Sequence, residues 1–431
     1  MSLTTLTDTI CALSTPLGTS ALATLRLSGA EAIAIAAKCL QSPERLITAL
    51  GGESIYSNIK DSTGGYIDDV VLSVWRAPRS YTGEDIVEFH THGSPVITDL
   101  LQKQLIAHGA RLAEAGEFSR RAFMNGKQSL RELERTLMRL DASSEDSLSK
   151  IEPLLRAKFD RLQEVYNDCI ALLAQVNAEI DFGESDQVEL SGFSGQLEAI
   201  RHKLSELVAR SVNQQLNKGY FSIVLTGPPN VGKSSLFNAL IRYERSIVSE
   251  VAGTTRDYIE AFVMLEGFKV KIIDTAGLRE SDDSIESRGI ALGRDIAEKA
   301  DIELRITDPE SRSVIPVAGQ LLVHNKCDLD GYSQGIAISI VTGKGMTDLI
   351  LLIKNKIAAL DSERTGYSIA ETELATIESV QQRLDNSLIN KELSLIAEDL
   401  RLSADAIASL LGFKISEDNL NYIFTKMCIG K

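Results

Sequence analysis

Long apolar runs, paired cysteines and a positive charge balance are all missing from this 431-residue sequence. No stretch of about eighteen uninterrupted apolar residues occurs, so no segment reads as a membrane-spanning helix and no membrane association is expected. The first residues, "MSLTTLTDTICALSTPLG", have neither the basic start nor the apolar core of a secretory signal, and a cytoplasmic location is the expectation. The five cysteines (Cys11, Cys39, Cys169, Cys327 and Cys428) form no C-x-x-C pair and lie at no zinc-ligand spacing from a histidine, which argues for reduced thiols, mostly buried. A net charge of −15 argues against non-specific adhesion to nucleic acid or to an anionic membrane. Internal repeats and low-complexity tails are absent too.

At this length the chain should hold two to four domains, and the text changes character along it. Residues 1–125 mix β-branched runs with turn signals ("ATLRLSG", "DSTGGYID", "DVVLSVW", "DIVEFHTHGS"), which predicts an α+β domain with a helix over Pro95–His108. From 126 to 217 glycine nearly vanishes and apolar residues recur at helical spacing. That pattern returns over 364–431, so the helical domain is split by an insertion at 218–363. The insertion reads as a parallel α/β sheet ("FSIVLTG", "FKVKIID", "ADIELRITD", "GQLLVHNK", "GIAISI"). The spacing between Asp308 and Asn325 is short for a crossover helix. The fold class is therefore multidomain α/β.

"GPPNVGKSS" (Gly227–Ser235) matches G-x-x-x-x-G-K-[ST] between a strand and a helix. Its glycines let the backbone N–H groups of Asn230, Val231, Gly232 and Ser235 approach phosphate. Lys233 adds a full charge, and Ser234 offers a hydroxyl to Mg²⁺. "GTTRD" supplies Thr254 and Thr255, the latter toward Mg²⁺. "DTAG" supplies Asp274, Thr275, Ala276 and Gly277, and "NKCD" supplies Asn325, Lys326 and Asp328. A carboxylate at Asp328 accepts both the N1–H and the exocyclic amino group of guanine, donors that adenine lacks there, so GTP and GDP are favoured. Ser339, Ile340 and Val341 would close over the base. The loops Ser249–Asp257 and Leu278–Arg288 are the expected nucleotide switches. Leu278 stands where Ras-like proteins place the glutamine that orients water, and the acidic second loop (Glu280, Asp282, Asp283, Glu286) reads by itself as a solvated segment.

With these motifs in place, the chain resembles the bacterial tRNA-modification GTPases of the MnmE (TrmE) family. The likeness rests on "DTICALSTPLGTSALATLRLSG", "YTGEDIVEFHTHGSP", "AGEFSRRAFMNGK", "EIDFGE", the GTPase motifs and the terminal "CIGK". The resemblance implies an N-terminal folate-binding and dimerisation domain, a helical domain and an inserted Ras-like P-loop GTPase domain. It also implies a homodimer, a flavoprotein partner, MnmG, that carries FAD and NADH in a heterotetramer or larger assembly, and modification of carbon 5 of the wobble uridine (position 34) of certain tRNAs with an aminomethyl or carboxymethylaminomethyl group. A tetrahydrofolate derivative (5-formyl or 5,10-methylene) would sit against Arg26, Glu88, Lys127 and Lys431. From the residues alone, Arg26 and Glu88 read as half-exposed strand positions, and His90 and His92 as strand-face residues or half a metal site. Two substitutes for the missing glutamine follow from the family: Glu286 as the catalytic group that holds the water, beside Lys233, and a K⁺ ion held by Asn230, Ser249, Val251 and Thr254. Cys428 is either a nucleophile of the modification or a packed thiol. A different class, a regulatory GTPase switch in ribosome assembly, fits the GTPase motifs equally well but would carry a basic RNA-binding domain, and none is evident.

Overall fold

The computed structural model describes residues 8–182, 191–209, 211–213, 219–243, 259–274, 296–311, 320–332, 335–363, 367–390, 392–413 and 430. The chain forms two compact units, one of residues 1–137, 157–208 and 371–431, the other of residues 138–156 and 209–370.

The first unit opens with β1 (Ile10–Leu13), β2 (Ser20–Ser28), α1 (Ala32–Lys38), α2 (Glu44–Thr48), β3 (Glu53–Lys60), β4 (Tyr66–Trp75), β5 (Ile86–Gly93), α3 (Pro95–Ala107), β6 (Arg111–Leu112) and α4 (Glu117–Met124). The strands make one sheet in the order β3-β4-β5-β2-β1-β6, antiparallel except for the β1–β6 edge. Side chains alternate across a strand. On one face Leu25, Leu27, Leu72, Val87 and Phe89 are buried with Ala32, Ile35, Leu101 and Leu105 of α1 and α3. Each large apolar side chain so buried contributes about 1.5–3 kcal/mol. The opposite face carries Thr24, Arg26, Ser73, Glu88 and His90, and α4 covers its β1 end with Phe118 packed on Ile10 and Ala12. Proline at the first turn of α3 and the apolar spacing behind it produce the helix expected there.

α4 is fixed by charge. Arg121, 1% exposed, donates to Asp8 Oδ1 (2.7 Å), the Asp8 carbonyl (2.7 Å), Glu84 Oε1 (3.2 Å) and Glu117 Oε1 (3.0 Å), and Arg111 donates to both oxygens of Glu117. A buried guanidinium needs such partners because it cannot lose its proton. Burial works to raise the Glu117 carboxyl, but hydrogen bonds from Arg111, the Glu114 N–H and Arg121 outweigh it and hold its pKa below the ordinary value.

The helices of this unit are α5 (Leu130–Leu140), whose last three residues belong to the second unit, α6 (Glu145–Phe182), whose residues up to 156 do, and α7 (Ser191–Ala209). Beyond the insertion, α11 (Glu371–Ile389) and α12 (Leu393–Leu410) complete them. Lys158 on α6, 3% exposed in its side chain, lies 2.9 Å from Glu134 of α5 and 2.9 Å from Glu373 of α11. A buried ammonium thus ties together residues that stand on either side of the insertion in sequence. Burial pushes the Glu134 carboxyl up to about 7.

The second unit contains β7 (Ser211–Asn213), β8 (Phe221–Thr226), α8 (Lys233–Tyr243), β9 (Ile259–Leu265), β10 (Phe268–Asp274), β11 (Ile302–Thr307), β12 (Gln320–His324), α9 (Cys327–Asp330), β13 (Ile336–Ala337), α10 (Met346–Glu363) and β14 (Tyr367–Ile369). Its sheet runs β13-β12-β11-β8-β10-β9, with only β9 antiparallel to its neighbour. β8 is central and buried along most of its length, as its unbroken apolar text requires. The chain enters and leaves this sheet beside the parallel pair β7–β14, short strands that the helical reading of 126–217 did not include. Residues 138–156 join it as well. The Lys269 N–H donates to the Ser143 carbonyl (2.8 Å), and the hydroxyls of Ser143 and Ser144 donate to Asp361 of α10 at 3.3 and 2.8 Å.

Candidate functional site

In the second unit, β8 ends at Thr226 and the chain turns through Gly227 and Asn230 into α8. Gly227 has φ +139°, and a Cβ there would lie 2.3 Å from the Ile306 carbonyl oxygen, so only glycine lets the loop cross β11. Gly232 (φ +100°) gives the same freedom beside Asn325, whose Nδ2 a Cβ would meet at 2.4 Å. Lys233, 7% exposed, donates to the carbonyls of Gly227 (3.0 Å) and Pro228 (2.7 Å), which folds its ammonium over the loop that the α8 N-terminus follows. N–H groups, helix terminus and ammonium make a cradle for phosphate.

Ser234 Oγ donates to Asp274 Oδ2 at 2.7 Å, and Asp274 is fully buried at the end of β10, next to Leu225 of β8. A hydroxyl and a carboxylate side by side at the mouth of a phosphate cradle are hard oxygen donors that suit Mg²⁺.

The base-reading segment closes the other side. Asn325 Nδ2 donates to the Val231 carbonyl (2.8 Å) and Lys326 Nζ to the Asn230 carbonyl (2.9 Å), which ties "NKCD" to the phosphate loop. Lys326 sits at φ +61° and also pairs with Asp308 at 2.8 Å. Burial works to raise the Asp308 carboxyl, but Lys326 and Ser311 outweigh it and hold its pKa low. Asp328 is exposed on α9, where a base edge can reach it. Ser339 is buried, and its Oγ accepts the Thr342 N–H at 3.2 Å. Ile340 Cδ1 would lie 3.6 Å from a Cβ added at Gly232, and Val341 projects into solvent at 92% exposure.

The structure therefore brings Asn230, Val231, Gly232, Lys233, Ser234, Ser235, Asp274, Asn325, Lys326, Asp328, Ser339, Ile340 and Val341 to one end of the parallel sheet. Ser249, Val251, Thr254, Thr255, Thr275, Ala276, Gly277 and Glu286, expected from the two switch segments, lie outside the described residues, as do Cys428 and Lys431.

A second polar site lies on the open face of the N-terminal sheet. Arg26 and Glu88 are cross-strand partners of β2 and β5, joined from Nε to Oε1 at 2.8 Å. The Arg26 guanidinium lies 5.5 Å from the ring centroids of both Tyr81 and Phe118. Its Nη1 donates at 3.3 Å to the carbonyl of Gly430, which also accepts from Ser14 Oγ at 3.2 Å. Gly430 has φ +99°, and a Cβ there would lie 2.6 Å from the Leu13 carbonyl oxygen, which is why the "CIGK" segment needs glycine at its docking point. His90 bridges Thr24 Oγ1 (Nδ1, 3.0 Å) and Ser73 Oγ (Nε2, 2.9 Å). His92 instead pairs with buried Asp68 at 2.7 Å, and the hydrogen bond its ring N–H donates to that carboxylate raises its pKa. The two rings thus go to different partners, and among the described residues no group of three or more His, Cys, Asp or Glu could hold a metal. Lys127 is exposed beside Gly83, in the loop that follows Tyr81.

Thr24, Ser73, Tyr81, Ser14 and Gly430 were not picked out as site residues by the sequence reading. For Thr24 and Ser73 the textual signal is polar residues at alternate positions of otherwise apolar strands, as in Thr24/Arg26 and Glu88/His90. Cys11, Cys39, Cys169 and Cys327 are buried free thiols, and burial pushes the first three up to about 11, 12 and 12, which makes them poor nucleophiles.

A glycine-shaped phosphate loop, its lysine, a hydroxyl–carboxylate pair for Mg²⁺ and a carboxylate set to read guanine define a P-loop GTPase. Residues 222–332 match the model of the 50S ribosome-binding GTPase family, and residues 9–127 match the GTP-binding protein TrmE N-terminus family. The tRNA modification GTPase MnmE of Neisseria meningitidis serogroup C is 34% identical over 449 residues, covering 98% of this chain and 99% of the relative. That of Thermus thermophilus is 36% identical over 440 residues, covering 99% and 100%. The chain belongs to the MnmE (TrmE) family of tRNA-modification GTPases. Among solved structures, the G domain of the T. maritima FeoB iron transporter is 25% identical, covers 32% of this chain and 98% of that one, and superposes with a TM-score of 0.24. Among the described residues no helix is long and apolar enough to cross a membrane.

Proposed function

We propose that the chain couples GTP hydrolysis to installation of an aminomethyl or carboxymethylaminomethyl group on carbon 5 of the wobble uridine of certain tRNAs, as a homodimer acting with an MnmG-type flavoprotein that carries FAD and NADH. The observation that carries this reading is the Arg26–Glu88 pair, roofed by Tyr81 and Phe118 and touched by Gly430 of the terminal motif. A carboxylate between strands accepts hydrogen bonds from the aminopyrimidine edge of a pterin, aromatic rings stack on its face, and basic groups at Lys127 and Lys431 suit glutamyl carboxylates. A tetrahydrofolate derivative as one-carbon donor is what membership of the family implies, and that donor and acceptor set supports it. A GTPase that only switches on ribosomes has no use for it.

At the nucleotide, Lys233 and Ser234 would hold the β- and γ-phosphates and Mg²⁺, with Thr255 as a further ligand, and the bound Mg²⁺ would supply charge neutralisation on the leaving and transferred oxygens. Glu286 orients the attacking water in place of the glutamine that Leu278 replaces. Asn230, Ser249, Val251 and Thr254 would hold a K⁺ ion, which would supply positive charge where an arginine finger acts elsewhere.

The test is complementation. The full chain, expressed with its flavoprotein partner in cells that lack their own copy, should restore the 5-substituted uridine seen by nucleoside mass spectrometry, and Arg26→Ala should not. GTP hydrolysis without any restored nucleoside would defeat the proposal.

A further inference from the structure

His324 stands immediately before the guanine-reading "NKCD", a place where its neighbours give the ring a definite task. It is 4% exposed, and its Nε2 lies 3.0 Å from Asp330 Oδ2. A carboxylate can only accept, so Nε2 carries the hydrogen, and Nδ1 faces Thr307 Oγ1 at 3.4 Å. The other Asp330 oxygen accepts the Tyr332 N–H at 2.9 Å, and the Tyr332 ring lies 4.2 Å from the imidazole centroid to centroid, tilted by 49°.

His324 and Asp330 are therefore joined across the segment Asn325–Leu329, which holds every residue of "NKCD". Main-chain bonds anchor the same turn at Asn325 N–H to Thr307 O (2.8 Å), Cys327 N–H to Ile338 O (3.1 Å) and Gly331 N–H to Cys327 O (3.0 Å). Asp328 is exposed on the one-turn helix inside this bracket, so its direction follows from the backbone that the bracket holds. A short helix cannot hold itself, because fewer than two turns leave nearly all of its end groups without intrahelical partners.

We propose that His324 is a positioning residue for guanine recognition, its imidazole clasping Asp330 so that the turn between them presents Asp328 to the N1–H and 2-amino edge of the base. The clasp fixes a reader and touches no phosphate, so its loss falls on discrimination of the base edge.

The experiment titrates the full-length protein with GDP and with inosine diphosphate, which lacks the 2-amino group, by calorimetry. His324→Ala is expected to raise the Kd for GDP about tenfold and that for inosine diphosphate by much less, contracting the preference for guanine. His324→Gln, which keeps a donor near the Nε2 position, should restore most of it. Asp330→Asn, of the same shape, should contract the preference about threefold and carries the test if circular dichroism shows that His324→Ala does not fold. A guanine preference unchanged in folded variants, or two affinities that fall in equal proportion, would reduce the clasp to packing and overturn the proposal.

Discussion

The nucleotide site and the Arg26–Glu88 site are both polar sites built on sheets, yet they are made in opposite ways. The first is mostly backbone: glycines at 227 and 232 with φ of +139° and +100°, helix N–H groups and carbonyls gathered by Lys233, Asn325 and Lys326. The second is almost wholly side chain: cross-strand partners on β2, β4 and β5 whose hydroxyl, imidazole, guanidinium and carboxylate groups satisfy one another. Phosphate is bound by many weak dipoles that must converge, which takes a shaped loop. A planar heterocycle is held by a few directed bonds and a ring stack, which a flat sheet face provides.

The contrast can be broken most directly at Lys233. Lys233→Ala should lower GTP turnover on the order of a thousandfold, in a phosphate-release assay, while binding of 5-formyltetrahydrofolate to the same protein is retained. Joint loss of both would mean that the sites are not separable. Next in size is a change beneath the second site alone. Glu117→Gln removes the carboxylate between Arg111 and Arg121 and should cost about 3 kcal/mol in urea unfolding at pH 6. The native pKa of Glu117 is depressed, so its stabilising contribution is complete above the ordinary glutamate value of about 4.5. That contribution is lost as pH falls through the lower native value. The gap between parent and variant should therefore close in acid, and a gap independent of pH would assign the cost to packing.

Arg26→Ala should weaken 5-formyltetrahydrofolate binding roughly tenfold to a hundredfold, since it removes a charged partner of Glu88, and leave GDP affinity unchanged in parallel titrations. The smallest effect is expected at Ser73→Ala, which takes one partner from His90 Nε2 and should cost about 1 kcal/mol in thermal unfolding. A loss of several kcal/mol would show that the hydroxyl–imidazole chain is a structural spine of the sheet and more than an adjustable lining.

The two sites also differ in how much of them could be seen in the text. The phosphate loop, Asp274 and "NKCD" are short consecutive strings whose function depends on local turns, so strand, string and helix together announced them. Arg26 and Glu88 stand 62 residues apart, and nothing local to either one requires the other. A resemblance to a family singled them out, and strand register made them neighbours. Lys158, Glu134 and Glu373 were not singled out in the sequence at all, and they become partners only where burial brings distant parts of the chain together.

By itself, the sequence determined the elements and the phosphate chemistry. Apolar periodicity set helix and strand, and Gly227, Gly232, Lys233 and Ser234 specified a phosphate loop, because those demands are met within a few bonds. The tertiary structure alone decided which half-exposed strand residues face one another and that the chain segment at Gly430 returns to β1. It also decided that residues 138–156 pack with the sheet that follows them. Those outcomes depend on register and long-range packing, in which each partner's energy is realised only when the other arrives from a distant part of the chain.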